Sequence, residues 1–263
     1  MLETFDIDAL PLSQAVLVFL ADPLILLCLA INLLMIIYLR HNPPDWKSRI
    51  SRLDSRPWSV REAETMIIAT IAFILTGRTA ISALYNLGMI PEEHIENWLV
   101  AGQTILFHIP VIALILVLLV RNRTIFSGIL GYQVRDVLSS LRRGTLFCLA
   151  ALPAVGLAAV LQNHFLAKAG YVNEPQYVIE LFSSPGPIWL KLYLVFVTVV
   201  TAPIAEEFIF RGVGISALAG KIGINWSIFL ISIAFAAIHF NLYSFIPLFT
   251  IAVAFSFAYI YSG

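Results

Sequence analysis

Long apolar stretches, separated by short polar segments, follow one another along almost the whole chain. Seven of them approach the roughly 20 residues that a helix needs to cross a hydrocarbon core of about 30 Å. They lie at residues 13–39, 63–87, 98–120, 144–166, 190–219, 225–243 and 245–261. Because a segment inside lipid must satisfy its backbone hydrogen bonds internally, each stretch predicts a helix. The pattern therefore predicts an all-α fold, a polytopic transmembrane helix bundle with about seven spans.

The first apolar stretch has two features that bear on its use. No basic segment precedes it, so we expect a retained helix and not a cleaved signal peptide. Asp22 and Pro23 interrupt it. Asp22 is suited to cap a helix that restarts at Pro23, and otherwise it would lie at the membrane interface.

Composition favours a membrane protein over a soluble one. Of the 263 residues, 60% are hydrophobic and 12% are charged, whereas a typical soluble domain carries about 25% charged residues. A soluble domain of this length could not bury so much apolar surface. Since the chain has no internal repeat, low-complexity tract or long linker, we expect one membrane domain over residues 1–263. Its motif-bearing core lies at about residues 144–263.

Charges beside the spans predict orientation, because Lys and Arg are retained on the cytoplasmic side. Basic residues follow the first predicted span (Arg40, Lys47, Arg49, Arg52, Arg56, Arg61) and the third (Arg121, Arg123, Arg135, Arg142, Arg143). Acidic residues occupy the N-terminus (Glu3, Asp6, Asp8) and the loop after the second span (Glu92, Glu93, Glu96). We therefore predict a multi-pass protein of the cell membrane with its N-terminus outside. Membrane lipid is the expected partner, and nucleic acid is not expected.

Two adjacent carboxylates lie inside the fifth predicted span. Glu206 and Glu207 come about sixteen residues into it, roughly 24 Å along a helix, and apolar residues resume after Arg211. Ionisable groups at such a depth are costly, so they indicate either a function or an interfacial salt bridge. Glu207 and Arg211 are four apart and can form an ion pair, while Glu206 is rotated by about 100°. Pro203 cannot donate to the carbonyl of Val199, so we expect a bend there.

The sixth predicted span carries Phe235 and His239, four residues apart and therefore on one helix face. The histidine is either a simple interfacial residue or a partner for the carboxylates. An imidazole can accept or donate a proton near neutral pH, which suits the second role. The His-Glu-x-x-His arrangement of zinc proteases is absent from the sequence, so we expect no metal and no cofactor.

These residues, taken together and in this order, resemble the motifs of the CAAX-protease and bacteriocin-processing family of intramembrane proteins, also called the CPBP or Abi family. Glu206-Glu207-x-x-x-Arg211 is similar to the first motif of that family, and Phe235-x-x-x-His239 to the second. The flanking segments 202–205 and 210–212, Ala-Pro-Ile-Ala and Phe-Arg-Gly, also match. The resemblance covers about residues 190–263.

The resemblance implies a glutamic intramembrane endopeptidase similar to CAAX prenyl proteases. In that family's scheme Glu206 would activate a water molecule, and His239 would orient the water or pass its proton to the leaving amine. Glu207 and Arg211 would support this arrangement, together with Phe235 of the second motif. The implied substrate is a peptide or a membrane protein, possibly prenylated.

A third motif of the family lies on a following helix, where a histidine and an asparagine four apart bind the developing oxyanion. No histidine follows His239, and the sequence ends at Gly263. The resemblance therefore predicts that the final family helix is missing here. Because one lost oxyanion donor can cost a hundredfold to a thousandfold in rate, roughly, activity is expected to depend on that helix.

Two other functions stay open on the sequence. A noncatalytic member of the same family, a membrane scaffold or a bacteriocin self-immunity protein, would bind a partner through the same cavity. A transporter would line a polar route with Arg78, Glu206, Glu207 and His239. The transporter is disfavoured because the two halves of the chain show no repeated pattern of broken helices.

Overall fold

The computed structural model describes residues 10–54, 56, 58–90, 110–117, 120, 137–171 and 188–262, and every regular element in these ranges is helical. The α-helices are α1 (Leu12–Ala21), α2 (Pro23–His41), α3 (Trp46–Asp54), α4 (Val60–Asn86), α5 (Val137–Lys168), α6 (Ile188–Phe196), α7 (Ala202–Glu206), α8 (Ser216–Ile222), α9 (Ile224–Ala237) and α10 (Phe245–Ser262). Two π-helical segments, π1 (Val197–Thr201) and π2 (Glu207–Ile215), alternate with α6, α7 and α8, and a 3₁₀ turn covers Leu242–Ser244.

Five helical stretches are long and apolar enough to cross a membrane: Pro23–His41, Val60–Asn86, Leu138–Lys168, Lys191–Ile222 and Leu242–Ser262. They confirm the predicted all-α, polytopic membrane protein. Two further apolar helices are shorter, α1 and α9. At 14 residues α9 extends about 21 Å, less than the hydrocarbon core of about 30 Å. Of the predicted third span, residues 110–117 and 120 are helical, and the remainder lies outside the described residues.

At the break between α1 and α2, Asp22 caps the second helix, which is the first of the two roles considered for it. Its side-chain Oδ1 accepts hydrogen bonds from the backbone N–H groups of Leu24, at 2.8 Å, and Ile25, at 3.2 Å. Pro23 occupies the first turn of α2, where a backbone N–H would have no partner within the helix, so the missing N–H of proline costs no hydrogen bond. The first apolar stretch is therefore two helices with a capped junction.

The chain divides into two compact units. The first unit consists of Met1–Ser55, Gln133–Glu174 and Ile222–Gly263, and the second of Arg56–Tyr132 and Pro175–Lys221. Gly223, with a φ of 80° that favours glycine, marks the end of α8 and the start of α9 at one of the boundaries. The prediction of a single membrane domain concerns how these units assemble, and it stays a prediction.

In the first unit α5 packs against α1, α2 and α10. A Cβ added at Gly156 of α5 would lie 2.4 Å from the ring of Phe19, so α1 approaches α5 closely there. Further towards the start of α5, Asn32 of α2 donates to the carbonyl of Ala150 at 2.7 Å. The order of these two contacts shows that α1 and α2 run antiparallel to α5.

The contacts of α10 place it antiparallel to α5 as well. Ile246, at its start, bonds to Gln162 near the end of α5, whereas Tyr261 lies 5.2 Å from Phe147, ring centroid to ring centroid. The basic helix α3 meets the same end of α10, with the Arg49 guanidinium 4.7 Å above the ring of Tyr261. The segment before α10, which contains His239, therefore lies at the opposite end of the first unit from α3.

Which end faces the cytoplasm was predicted from charges that lie partly outside the described residues: Glu3, Asp6, Asp8, Glu92, Glu93, Glu96, Arg121, Arg123 and Arg135. The outside location of the N-terminus therefore stays a prediction.

Candidate active site

The helical stretch that carries the first motif changes its winding twice around Glu206. The π1 segment precedes α7, Pro203 occupies the first turn of α7, and π2 begins at Glu207. Since Pro203 has no N–H, an α-helical bond to Val199 is impossible at this point, and the wider π turn accommodates the gap. The structure shows a change of helix type at this place, and the predicted bend stays a prediction. Glu206 and Glu207 lie at the junction between α7 and π2, and π segments occur frequently at functional sites.

Two threonine hydroxyl groups in this stretch bond back to carbonyls one turn earlier. Thr198 donates to the carbonyl of Leu194 at 2.7 Å, and Thr201 donates to that of Val197 at 3.1 Å. These bonds satisfy the two hydroxyl donors within the helical stretch, so neither threonine presents an unpaired polar hydrogen to lipid.

The ion pair predicted from the spacing of Glu207 and Arg211 is present. Arg211 Nη1 lies 3.2 Å from Glu207 Oε1. The Arg211 side chain is completely buried, whereas 43% of the Glu207 side chain is exposed. The buried guanidinium of Arg211 thus pairs with a carboxylate at the protein surface. The supporting role of this pair in catalysis stays a prediction.

Apolar residues of the first motif are fixed in the core of the second unit. Phe208 packs edge-on against Trp58, with ring centroids 5.7 Å apart. Both belong to a buried cluster with Met66 of α4, Val111, Ile115, Ala205, Val213 and Ala217. Glu206 follows the fully buried Ala205 and is itself half-buried. Its backbone is therefore anchored on both sides, although its side chain keeps an accessible part.

His239 lies in the turn after α9 and not within a spanning helix as predicted, because α9 ends at Ala237. The spacing from Phe235 still matters, since His239 Nδ1 lies 2.8 Å from the Phe235 carbonyl oxygen. A carbonyl oxygen can only accept, so Nδ1 must carry the proton and Nε2 keeps its lone pair. The buried Phe235 ring also contacts the imidazole, with centroids 5.0 Å apart. The second motif therefore fixes one tautomer and leaves Nε2 as the acceptor.

The structure distributes the predicted site residues over the two compact units. Glu206, Glu207 and Arg211 belong to the second unit, and Phe235 and His239 belong to the first. Among the described residues, no three His, Cys, Asp or Glu side chains lie close enough together to hold a metal ion.

A further polar residue, Gln162, bonds to the turn that follows His239 and was missed by sequence reasoning. One feature of the sequence could have indicated this residue. Three consecutive polar residues, Gln162, Asn163 and His164, interrupt the apolar stretch 144–166 near its end.

Comparison with known proteins adds one finding. No curated protein and no solved structure matches the chain significantly. A protein-family model does match, and the matched segment contains both motifs together with α9 and α10. Residues 187–263 match the Rce1-like family, described as type II CAAX prenyl endopeptidase Rce1-like, which confirms the resemblance carried by the two motifs.

Proposed function

We propose that the chain is an intramembrane endopeptidase of the CAAX-prenyl-protease type, which hydrolyses a peptide bond with water activated by Glu206. The observation that carries the proposal is the family match over residues 187–263, a segment that contains Glu206 and His239. The geometry of each motif is compatible with such chemistry. Cooperation of the two residues, which belong to different compact units, is part of the proposal.

In the proposed reaction the Glu206 carboxylate takes one proton from a water molecule. The resulting hydroxide attacks the scissile carbonyl carbon, and the C=O π electrons move onto oxygen to form a tetrahedral oxyanion. When the oxyanion collapses, the C–N bond breaks and the amine leaves with the proton that Glu206 had taken. General acid–base help of this kind contributes roughly a hundredfold to ten-thousandfold in rate.

His239 is suited to orient the attacking water, because its Nε2 lone pair is an acceptor while Nδ1–H is engaged by the Phe235 carbonyl. An imidazole held in one tautomer does not need to reorganise during the reaction. We assign Glu207 and Arg211 the task of holding the helix beside Glu206 through their ion pair. The proposed substrate is a prenylated C-terminal peptide, as the name of the matched family indicates.

The test uses the purified 263-residue chain in lipid nanodiscs and a farnesylated fluorogenic peptide that ends in a Cys-aliphatic-aliphatic-X sequence. Glu206→Gln keeps the shape of the side chain and removes the base, so we expect a loss of kcat of about a hundredfold or more. Glu64→Gln is the matched control, since it makes the same change at an exposed position of α4. His239→Gln, with the exposed His41→Gln as its control, should also lose kcat.

Wild-type and Glu206→Gln proteins that cleave the peptide equally fast would refute the assignment. A folded wild-type protein that does not cleave would agree with the noncatalytic alternative, in which the same fold binds a partner, and equally with the dependence on a further helix that the resemblance predicts.

A further inference from the structure

The turn that carries His239 has a backbone that needs external support. After α9 the chain tightens: the N–H of His239 bonds to the Ala236 carbonyl, and that of Phe240 to the Ala237 carbonyl. Phe240 then adopts a φ of 49°, in the left-handed region. Bulky residues rarely adopt this conformation, and it persists only where the surrounding structure holds the chain in place. With 95% of its surface exposed, Phe240 has no burial of its own to hold it.

Two hydrogen bonds within the turn are local. Asn241 Oδ1 accepts from the N–H of Ser244 at 2.9 Å, and the Ser244 hydroxyl donates to the Asn241 carbonyl at 3.2 Å. These contacts shape the 3₁₀ turn, but both join residues three apart. They cannot determine where the turn lies relative to the rest of the first unit.

Gln162 of α5 supplies that connection through both ends of its amide. Its Nε2 donates to the carbonyl of Leu242, and its Oε1 accepts from the N–H of Ile246 at 2.8 Å. The first N–H groups of a helix have no acceptor within it, so Oε1 satisfies a donor at the start of α10 that would otherwise be unpaired. Because one partner can only accept and the other can only donate, a glutamine amide fits this place in one orientation. Tyr243 adds a second bond, from its hydroxyl to the Tyr171 carbonyl at 2.6 Å.

The helix that carries Gln162 is held independently of the turn. α5 extends over 32 residues and packs against α2, which bonds to the Ala150 carbonyl, and against α1 at Gly156. The position of Gln162 is therefore set by the body of the first unit. Its two bonds transmit that position to residues three and seven places after His239.

We propose that Gln162 is a positioning residue for His239: its amide holds the turn so that the imidazole keeps its bond to the Phe235 carbonyl and its Nε2 stays in a fixed place. The consequence for catalysis rests on the proposed function. Gln162 lies outside the segment matched by the family model, so the inference comes from the hydrogen bonds of this chain alone. A displacement of about 1 Å at a catalytic group can cost about a hundredfold in rate.

The experiment replaces Gln162 by Met, which keeps the length of the side chain and removes both hydrogen bonds. Gln14→Met is the matched control, because Gln14 is an exposed residue of α1 in the same unit. The first measurement is the ¹⁵N spectrum of protein labelled at histidine, in which His239→Gln identifies the His239 signals among the five histidines. The second is kcat and KM on the farnesylated peptide.

We expect the wild-type and Gln14→Met proteins to show His239 nitrogen shifts of the Nδ1-protonated tautomer. In Gln162→Met the two tautomers should interconvert and their shifts average. We expect kcat per folded molecule to fall about tenfold to a hundredfold, with KM changed by less than about twofold. Gln162→Glu keeps the acceptor for Ile246 but sets a carboxylate oxygen against the Leu242 carbonyl, so it should also change the His239 shifts and lower kcat; it serves as the second variant should the methionine protein misfold.

A Gln162→Met protein with wild-type His239 shifts would overturn the positioning role. Changed shifts with an unchanged kcat would overturn its importance for catalysis. A wild-type protein that cleaves equally well without Glu206 refutes the proposed function instead, and the nitrogen shifts still decide whether Gln162 positions the imidazole.

Discussion

The ion pair between Glu207 and Arg211 allows a quantitative test of how this chain carries charge inside an apolar helix. The two atoms that form it are 3.2 Å apart. At that separation two unit charges attract by about 5 kcal/mol if the effective dielectric constant is about 20. An exposed pair four apart on a helix contributes only about 0.3–0.5 kcal/mol. Arg211 is completely buried but Glu207 is 43% exposed, so the real coupling should lie between these limits, at about 2 kcal/mol.

The perturbation is a double-mutant cycle of Glu207→Gln and Arg211→Met. Glu207→Gln alone removes the countercharge of a buried guanidinium, and breaking a buried pair in this way costs about 3–5 kcal/mol. Arg211→Met removes the buried cation itself and should cost less. The double variant contains neither charge. Replacing a buried ion pair by uncharged groups of similar volume often leaves the free energy of unfolding nearly unchanged. We therefore expect the double variant to be more stable than Glu207→Gln.

The assay is equilibrium unfolding in mixed micelles, followed by intrinsic tryptophan fluorescence, with Glu64→Gln as a control for loss of a carboxylate elsewhere. A coupling free energy below about 0.5 kcal/mol would place the pair among ordinary exposed helix pairs. That result, or an unchanged free energy of unfolding in Glu207→Gln, would refute the claim that burial of Arg211 strengthens the pair. If the double variant is as stable as wild type but has low peptidase activity, the pair supports catalysis and is not needed for folding.

Two further predictions concern the helix contacts of the first unit, and thermal unfolding of the purified variants checks both. Gly156→Leu should push the ring of Phe19 away from α5 and lower the free energy of unfolding by about 1–3 kcal/mol. Phe19→Ala in the same chain should restore part of this stability. A Gly156→Leu protein as stable as wild type would contradict the close approach of α1 and α5. Asp22→Ala should cost about 1 kcal/mol because it removes the acceptor for the N–H groups of Leu24 and Ile25, whereas Asp22→Asn should cost only a few tenths, and equal losses in the two variants would argue against a capping role.

Several local features could be predicted from the sequence because they depend on residues close together in the chain. The capping of α2 by Asp22 joins residues two and three apart. The pair of Glu207 and Arg211 and the bond from His239 to Phe235 each join residues four apart. At such spacings local backbone geometry brings the groups together, so the sequence spacing contains the needed information.

The winding around Glu206 was only half predictable. The missing N–H of Pro203 indicated a disturbance, but whether the helix bends or widens into π turns depends on packing against neighbours. Phe208 and Ala205 lie in a core with Trp58 of a distant segment, and π2 begins between them at Glu207. The same limit applies to α9, whose apolar sequence continues past Ala237 although the helix does not.

The sequence by itself determined that this is a helical membrane protein and which short motifs carry ionisable groups, because apolar length and helical spacing are properties of nearby residues. Only the tertiary structure decided that Gln162 holds the turn after His239, since its partners are 80 and 84 positions away in the chain. It also decided that Arg211 is enclosed while Glu207 reaches the surface. Burial and long-range hydrogen bonds arise from how helices pack, and packing depends on many distant side chains at once.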